Sequence, residues 1–137
     1  IQQKVMAETA VRFSIKCRLG YFSTNEIFEL IPVFNKHNIP ELTIHARIGN
    51  QLYTGEPDQH IFAKAISLLK VPVIYNGDIF TKNDFLQFEK TFPAINTLMI
   101  GRGLLYDPFL PADCKGLPVA TDRKAHIRKF IDDLYFY

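Results

Sequence analysis

Tryptophan is absent from this 137-residue chain, and cysteine and methionine occur only twice each. Cys17 and Cys114 match no zinc-ligand or Cys-x-x-Cys spacing, which excludes a zinc module and a disulfide-dense secreted scaffold. One disulfide stays open as an alternative, but the count fits a reduced, cytoplasmic setting better. Long apolar runs are also missing. The longest uncharged ones, residues 71–75 and 97–100, fall far short of the roughly 20 residues that a bilayer-crossing helix needs. The opening residues carry no secretory or transit pattern. The apolar start at Ile1 and the finish at Tyr135, Phe136 and Tyr137 suggest a piece of a longer polypeptide.

A strong excess of either charge is lacking as well. Sixteen Lys and Arg against 14 Asp and Glu leave a formal charge of +2, which permits an anionic partner without predicting one. What the chain does have is apolar mass. A hydrophobic fraction of 47%, with 12 Phe and 6 Tyr, is enough to offset the entropy of ordering one domain, and it excludes a disordered chain.

The hydrophobic period switches repeatedly between strand and helix. Residues 13–19 alternate, with Phe13, Ile15, Cys17 and Leu19 on one face and Ser14, Lys16 and Arg18 on the other. Gly20 ends the run. Ser23 and Glu26 have capping-box spacing before a stripe of Ile27, Leu30, Ile31 and Phe34, which Pro32 should kink or divide. Residues 41–47 form the second strand, with Thr43, His45 and Arg47 on its polar face. A loop over 48–57 follows, long enough to suggest function. A helix over 58–70, a strand over 71–75 and a helix capped by Thr81 and Asp84 come next. A strand over 94–100 and a short helical turn over 104–109 complete the series. Residues 110–121, rich in Pro and Gly, read as a linker, and 122–137 as a last helix with Ile127, Phe130, Ile131 and Leu134 on one face.

Strand and helix in alternation predict a parallel sheet with crossover helices. Four such units make half of a (β/α)₈ barrel, whose full form takes roughly 250 residues. An open doubly wound sheet fits the same order. The strand ends favour the barrel, because Lys16/Arg18, His45/Arg47 and Asn76/Asp78 gather at carboxyl ends, where barrels build their sites.

The turns Asn76-Gly77-Asp78 and Gly101-Arg102-Gly103 are ordinary punctuation when taken singly. At consecutive strand ends they fit a phosphate, since glycine admits a ligand close to the backbone and Arg102 adds a bidentate cation. Lys16, in a strand with apolar flanks, should project over the rim, where it can stabilise negative charge on a bound ring. His45 has the same placement, with a satisfied core histidine as its plainer reading. Arg18 and Arg47 could instead grip an anionic substrate. Cys17 points away from Lys16 toward the helices and reads as a small buried hydrophobe. Neither cysteine looks catalytic, and no metal-ligand set is present.

The runs SIKCRLG (14–20), TIHAR (43–47) continuing to Gln51, Tyr53 and Gly55, VIYNGDI (73–79) and MIGRG (99–103) with Asp107-Pro108 resemble the tRNA-dihydrouridine synthase family in order and spacing. The resemblance implies that residues 1–109 are the second half of an FMN-binding TIM barrel. It implies that 122–137 begin the family's helical tRNA-binding domain. Lys16 and His45 then match the flavin-ring contacts, and Asn76, Gly77, Asp78, Gly101 and Arg102 the phosphate side. Arg47, Gln51 and Tyr53 match the stretch near the tRNA. The family reduces uridine in tRNA with FMN and NADPH, and a cysteine from an earlier loop gives the proton. That loop has no counterpart here, so this polypeptide alone is expected to be inactive and to self-associate through exposed barrel edges. Two other readings remain at this point: a different FMN- or phosphate-binding barrel oxidoreductase, and a non-catalytic half-barrel module.

Overall fold

The computed structural model describes residues 12–119 and 121–136. The first eleven residues of the expected 1–109 unit, Ala120 of the expected linker and Tyr137 of the last helix lie outside the described residues.

Four strands, β1 (Ile15–Gly20), β2 (Leu42–Ile48), β3 (Val73–Asn76) and β4 (Leu98–Met99), pair in parallel in the order β1-β2-β3-β4. Parallel neighbours require a crossover between them. Helices α1 (Ile27–Lys36), α2 (Gln59–Leu68) and α3 (Lys82–Thr91) supply the three that are needed. Two short helices, α4 (Arg102–Tyr106) and α5 (Leu110–Cys114), precede α6 (Arg123–Tyr135). This is the α/β architecture of half a TIM barrel, as the alternation predicts.

Local chemistry fixes the helix starts. Glu26 accepts from the backbone N–H groups of Tyr21, Phe22 and Ser23 at 2.8, 2.9 and 2.7 Å, so the Ser23 box opens a 3₁₀ turn over Thr24–Glu26 that leads into α1. Thr81 and Asp84 cap α3 reciprocally, and Asp58 caps α2 through the N–H of Ile61. The central strand β2 is buried from Leu42 to Arg47. Its Leu42, Ile44 and Ala46 join Leu19, Ile27, Ile31, Phe62 and Tyr75 in the core. Each large side chain buried there contributes roughly 1.5–3 kcal/mol. The other face of β2 carries Thr43, His45 and Arg47, which are buried as well. Parallel strands covered on both faces are normally apolar throughout, so these three need partners.

Three expectations change. The helix α1 runs through Pro32 without dividing, because the buried stripe of Ile27, Ile31 and Phe34 outweighs one missing backbone bond. Strand β4 has two residues rather than seven: Pro93 and Ala94 form a turn, and register is held only by Tyr75 opposite Leu98 and Asn76 opposite Met99. The expected linker begins as helix α5, where Pro111 sits in the first turn and its missing donor costs nothing, and Leu110 is buried in the core. The apolar stripe of α6 (Ile127, Phe130, Ile131 and Leu134) lies exposed. Arg123 ties that helix back, donating to Asp113 at 2.8 and 2.7 Å and lying 5.1 Å from the Phe109 ring centroid. No described helix is long and apolar enough to cross a membrane.

Candidate functional site

Strand register assembles the site. Arg18 lies opposite His45, His45 opposite Asn76, and Asn76 opposite Met99, so one row of side chains crosses all four strands at the same level. That row and the turns beyond it line a cavity of about 320 Å³. The size falls within the range of small-molecule sites. Of the ten site residues expected from sequence, all but Arg47 and Gln51 line it.

The two rim turns are joined directly. Asn76 donates its side-chain amide to the Met99 carbonyl at 2.8 Å, and Arg102 donates to Asp78 at 2.7 Å. The other Asp78 oxygen accepts from Arg47, whose side chain is 0% exposed. The Arg102 guanidinium lies close to two rings, 4.5 Å from the Tyr53 centroid and 5.3 Å from that of Phe80. At Gly77 an added Cβ would lie 2.1 Å from the Tyr75 hydroxyl, and that ring is stacked on Phe88 at 4.1 Å. At Gly101 an added Cβ would meet nothing within 4 Å, so glycine there leaves open space on the cavity wall.

The residues of the 49–58 loop divide by role. Arg18 donates to the carbonyls of Ile48 and Leu52 at 2.7 and 3.2 Å, and Arg47 donates to that of Thr54. Gln51 donates to the carbonyls of Thr54 and Glu56. Arg47 and Gln51, matched by resemblance to the tRNA side, are therefore engaged inside the protein. Tyr53 is 61% exposed at the mouth of the cavity.

Electrostatics favour an anionic ligand. Lys16, Arg18 and Arg102 line the cavity against a single carboxylate, Asp78, which Arg47 backs from behind. Burial, reinforced by the cations Arg18, Lys16 and Arg47, pulls the His45 imidazole down to about 4. His45 is thus neutral near pH 7, able to donate from one ring nitrogen and accept at the other. Partial desolvation, and then Arg18, lower Lys16 from its usual value. Cys17 packs against the core away from the cavity, with its thiol pushed up to about 11, mainly by burial. Cys114 lies on α5; both thiols are free and neither lines the cavity. No group of potential metal ligands occurs among the described residues.

Sequence reasoning missed Phe80 and the hub role of Asp78. A lone carboxylate among strand-end arginines was the available signal for the second. Nothing in the spacing marked Phe80.

Fold and rim together define a class: a parallel (β/α) half-barrel with a cationic small-molecule cavity at its strand ends. Comparison with known proteins narrows this. The dihydrouridine synthase (Dus) family model matches residues 1–130, and the chain belongs to that family. It is 30% identical to tRNA-dihydrouridine synthase B of Pasteurella multocida over 111 residues, 80% of this chain and 33% of that protein. It is 30% identical over 129 residues to a tRNA-dihydrouridine(16) synthase of Neisseria meningitidis serogroup B, 91% of this chain and 38% of that protein. A probable tRNA-dihydrouridine synthase of Aquifex aeolicus is 31% identical over 98 residues, 71% of this chain and 30% of that protein. The chain thus spans about a third of the length of the curated relatives it matches.

Proposed function

We propose that this chain is the cofactor-holding part of a tRNA-dihydrouridine synthase, which reduces uridine to dihydrouridine in tRNA with FMN as the flavin and NADPH as the reductant. The observation that carries this is the convergence of three cationic side chains and two glycine-bearing turns on one cavity. The open space at Gly101 and the excess of positive charge fit an anionic cofactor, so the residues present suit FMN.

Arg102, with Asn76, Gly77, Asp78 and Gly101 around it, would hold the phosphate. Lys16 would put a positive charge beside the ring, where it stabilises developing negative charge. Neutral His45 would serve as a hydrogen-bonding neighbour of the ring. When bound, FMN supplies the hydride that reduces the uracil. Tyr53, exposed at the mouth, would meet a uridine turned out of its stack. The cysteine that the family uses as proton donor has no counterpart in the cavity lining, since neither thiol among the described residues lines it. The isolated chain is therefore proposed to be inactive by itself. Its free thiols and tRNA substrate fit a cytoplasmic setting.

Flavin titration of the chain, followed by FMN fluorescence, tests the site. Arg102→Ala should weaken binding by roughly 1–3 kcal/mol, the loss expected for a hydrogen bond to a charged group. Unchanged affinity removes Arg102 from the phosphate site. Formation of dihydrouridine in unmodified tRNA by the intact parent enzyme with NADPH separates this reading from other flavin barrels. β1, a six-residue strand at one end of the sheet among the described residues, should also drive self-association. Light scattering on dilute protein should give at least a dimer, and a strict monomer would argue against that.

A further inference from the structure

We propose that Arg47, Asp78 and Tyr53 are positioning residues for Arg102, arranged so that order in the 49–58 loop and anion affinity at the rim depend on each other. The proposal deepens the reading of the rim as a phosphate site and rests on it only for the ligand. The contacts form a closed circuit. Arg47 donates to the Thr54 carbonyl in the loop and to one oxygen of Asp78. The other Asp78 oxygen accepts from Arg102 at 2.7 Å. Arg102 lies against the ring of Tyr53, the neighbour of Thr54, which returns the circuit to the loop. Three segments distant in sequence are joined in this way: the β2–α2 loop, the end of β3 and the end of β4.

Each member has a separate physical task. The rings of Tyr53 and Phe80, both close to the Arg102 guanidinium, restrain it, and Asp78 fixes one edge through Nη2. The remaining N–H donors are then pre-aimed rather than free to wander, which lowers the ordering entropy of ligand binding. Arg47 sets the local charge. An Asp78 carboxylate paired with Arg102 alone would cancel it and leave the rim turn neutral. With Arg47 behind it, the trio keeps one net positive charge although Arg47 does not line the cavity. Linkage then requires reciprocity: an anion that fixes Arg102 orders the loop, and a loop ordered from outside tightens the anion site.

Hydrogen exchange of residues 49–57, measured by mass spectrometry on the full chain with and without FMN, tests the circuit. In the wild type FMN should slow exchange in this loop. Tyr53→Leu should speed it in the free chain, abolish the response to FMN, and weaken FMN binding roughly two- to five-fold, the size of one exposed cation–π contact. Tyr53→Phe keeps the ring and should restore all three. Exchange in α2 should stay unchanged, which separates the circuit from general loosening. Equal loop exchange in wild type and Tyr53→Leu, or equal protection by FMN in both, overturns the proposal. Should the wild type fail to bind FMN, the cofactor reading fails by itself, and the circuit is decided without ligand. Faster loop exchange in both Asp78→Asn and Tyr53→Leu upholds it, and unaltered rates refute it.

Discussion

Asp78→Asn removes one negative charge and almost no volume, and it discriminates between a hub and a surface pair. The two arginines that Asp78 serves have very different surroundings: the Arg47 side chain is 0% exposed and that of Arg102 is 39% exposed. Removing the partner of a buried ion pair leaves an uncompensated buried charge and destabilises by roughly 3–5 kcal/mol. The half-exposed pair with Arg102 is worth roughly 0–1 kcal/mol. Asparagine still offers one oxygen to Arg47, so the expected loss lies at the lower end, about 3 kcal/mol. That is a large part of the roughly 5–15 kcal/mol available to a domain. Urea unfolding followed by circular dichroism should rank Asp78→Asn well below Arg102→Ala, whose loss should stay within about 1 kcal/mol. Adding Arg47→Met to Asp78→Asn should recover stability, since a neutral pair no longer strands a buried cation. Similar losses for Asp78→Asn and Arg102→Ala, or a double variant as weak as the sum of its parts, would refute the hub.

Two glycines give a paired prediction. Gly77→Ala should lower stability by roughly 1–3 kcal/mol, because the new Cβ drives against the buried Tyr75 ring, whereas Gly101→Ala should leave the melting temperature unchanged and weaken FMN binding by filling the cavity wall. Thermal melts and flavin titrations of both variants check this, and a destabilised Gly101→Ala would contradict it. His45 gives a pH dependence. Its folded value of about 4 lies below the ordinary 6.5, so between these values the unfolded chain binds a proton that the folded chain does not. Stability should fall as pH drops from 6.5 toward 4, with a His45 share of at most about 1.4 kcal/mol per pH unit. In His45→Gln the slope over that window should be shallower, and an identical slope would remove His45 from the account.

How much of this was legible in sequence depended on whether the signal was local. The capping pairs Ser23–Glu26 and Thr81–Asp84 were readable because the partners lie three residues apart, and both form as boxes. The alternation in β1 and β2 was readable for the same reason. The length of β4 was not, since only pairing with the short β3 decides it, and periodicity in 94–100 carries no information about that partner. Residues 110–114 misled by composition: Pro111 resembles a breaker but occupies the one helical turn that accepts it. At the site, the strand-end clustering of Lys16, His45, Asn76 and Arg102 was visible because parallel topology forces carboxyl ends together. Which arginine faces the cavity and which is buried was not visible. Arg18 and Arg47 occupy equivalent places in their motifs, yet one lines the cavity and the other does not.

The burial of Arg47 explains why a polar face can exist in the centre of this sheet at all. Thr43, His45 and Arg47 all lie on β2, an interior strand, where an unpaired polar group would be costly to bury. The imidazole meets that cost by staying neutral, and Arg47 meets most of it with a carboxylate from the next strand end and a carbonyl from its own loop, only its Nε remaining without a partner. The solution for Arg47 depends on β3 lying beside β2, because the turn after that neighbour supplies the carboxylate. The charged rim is therefore a product of strand order as much as of residue type. The same four motifs in a different strand order would leave Arg47 without Asp78 and leave Arg102 without its fixed edge.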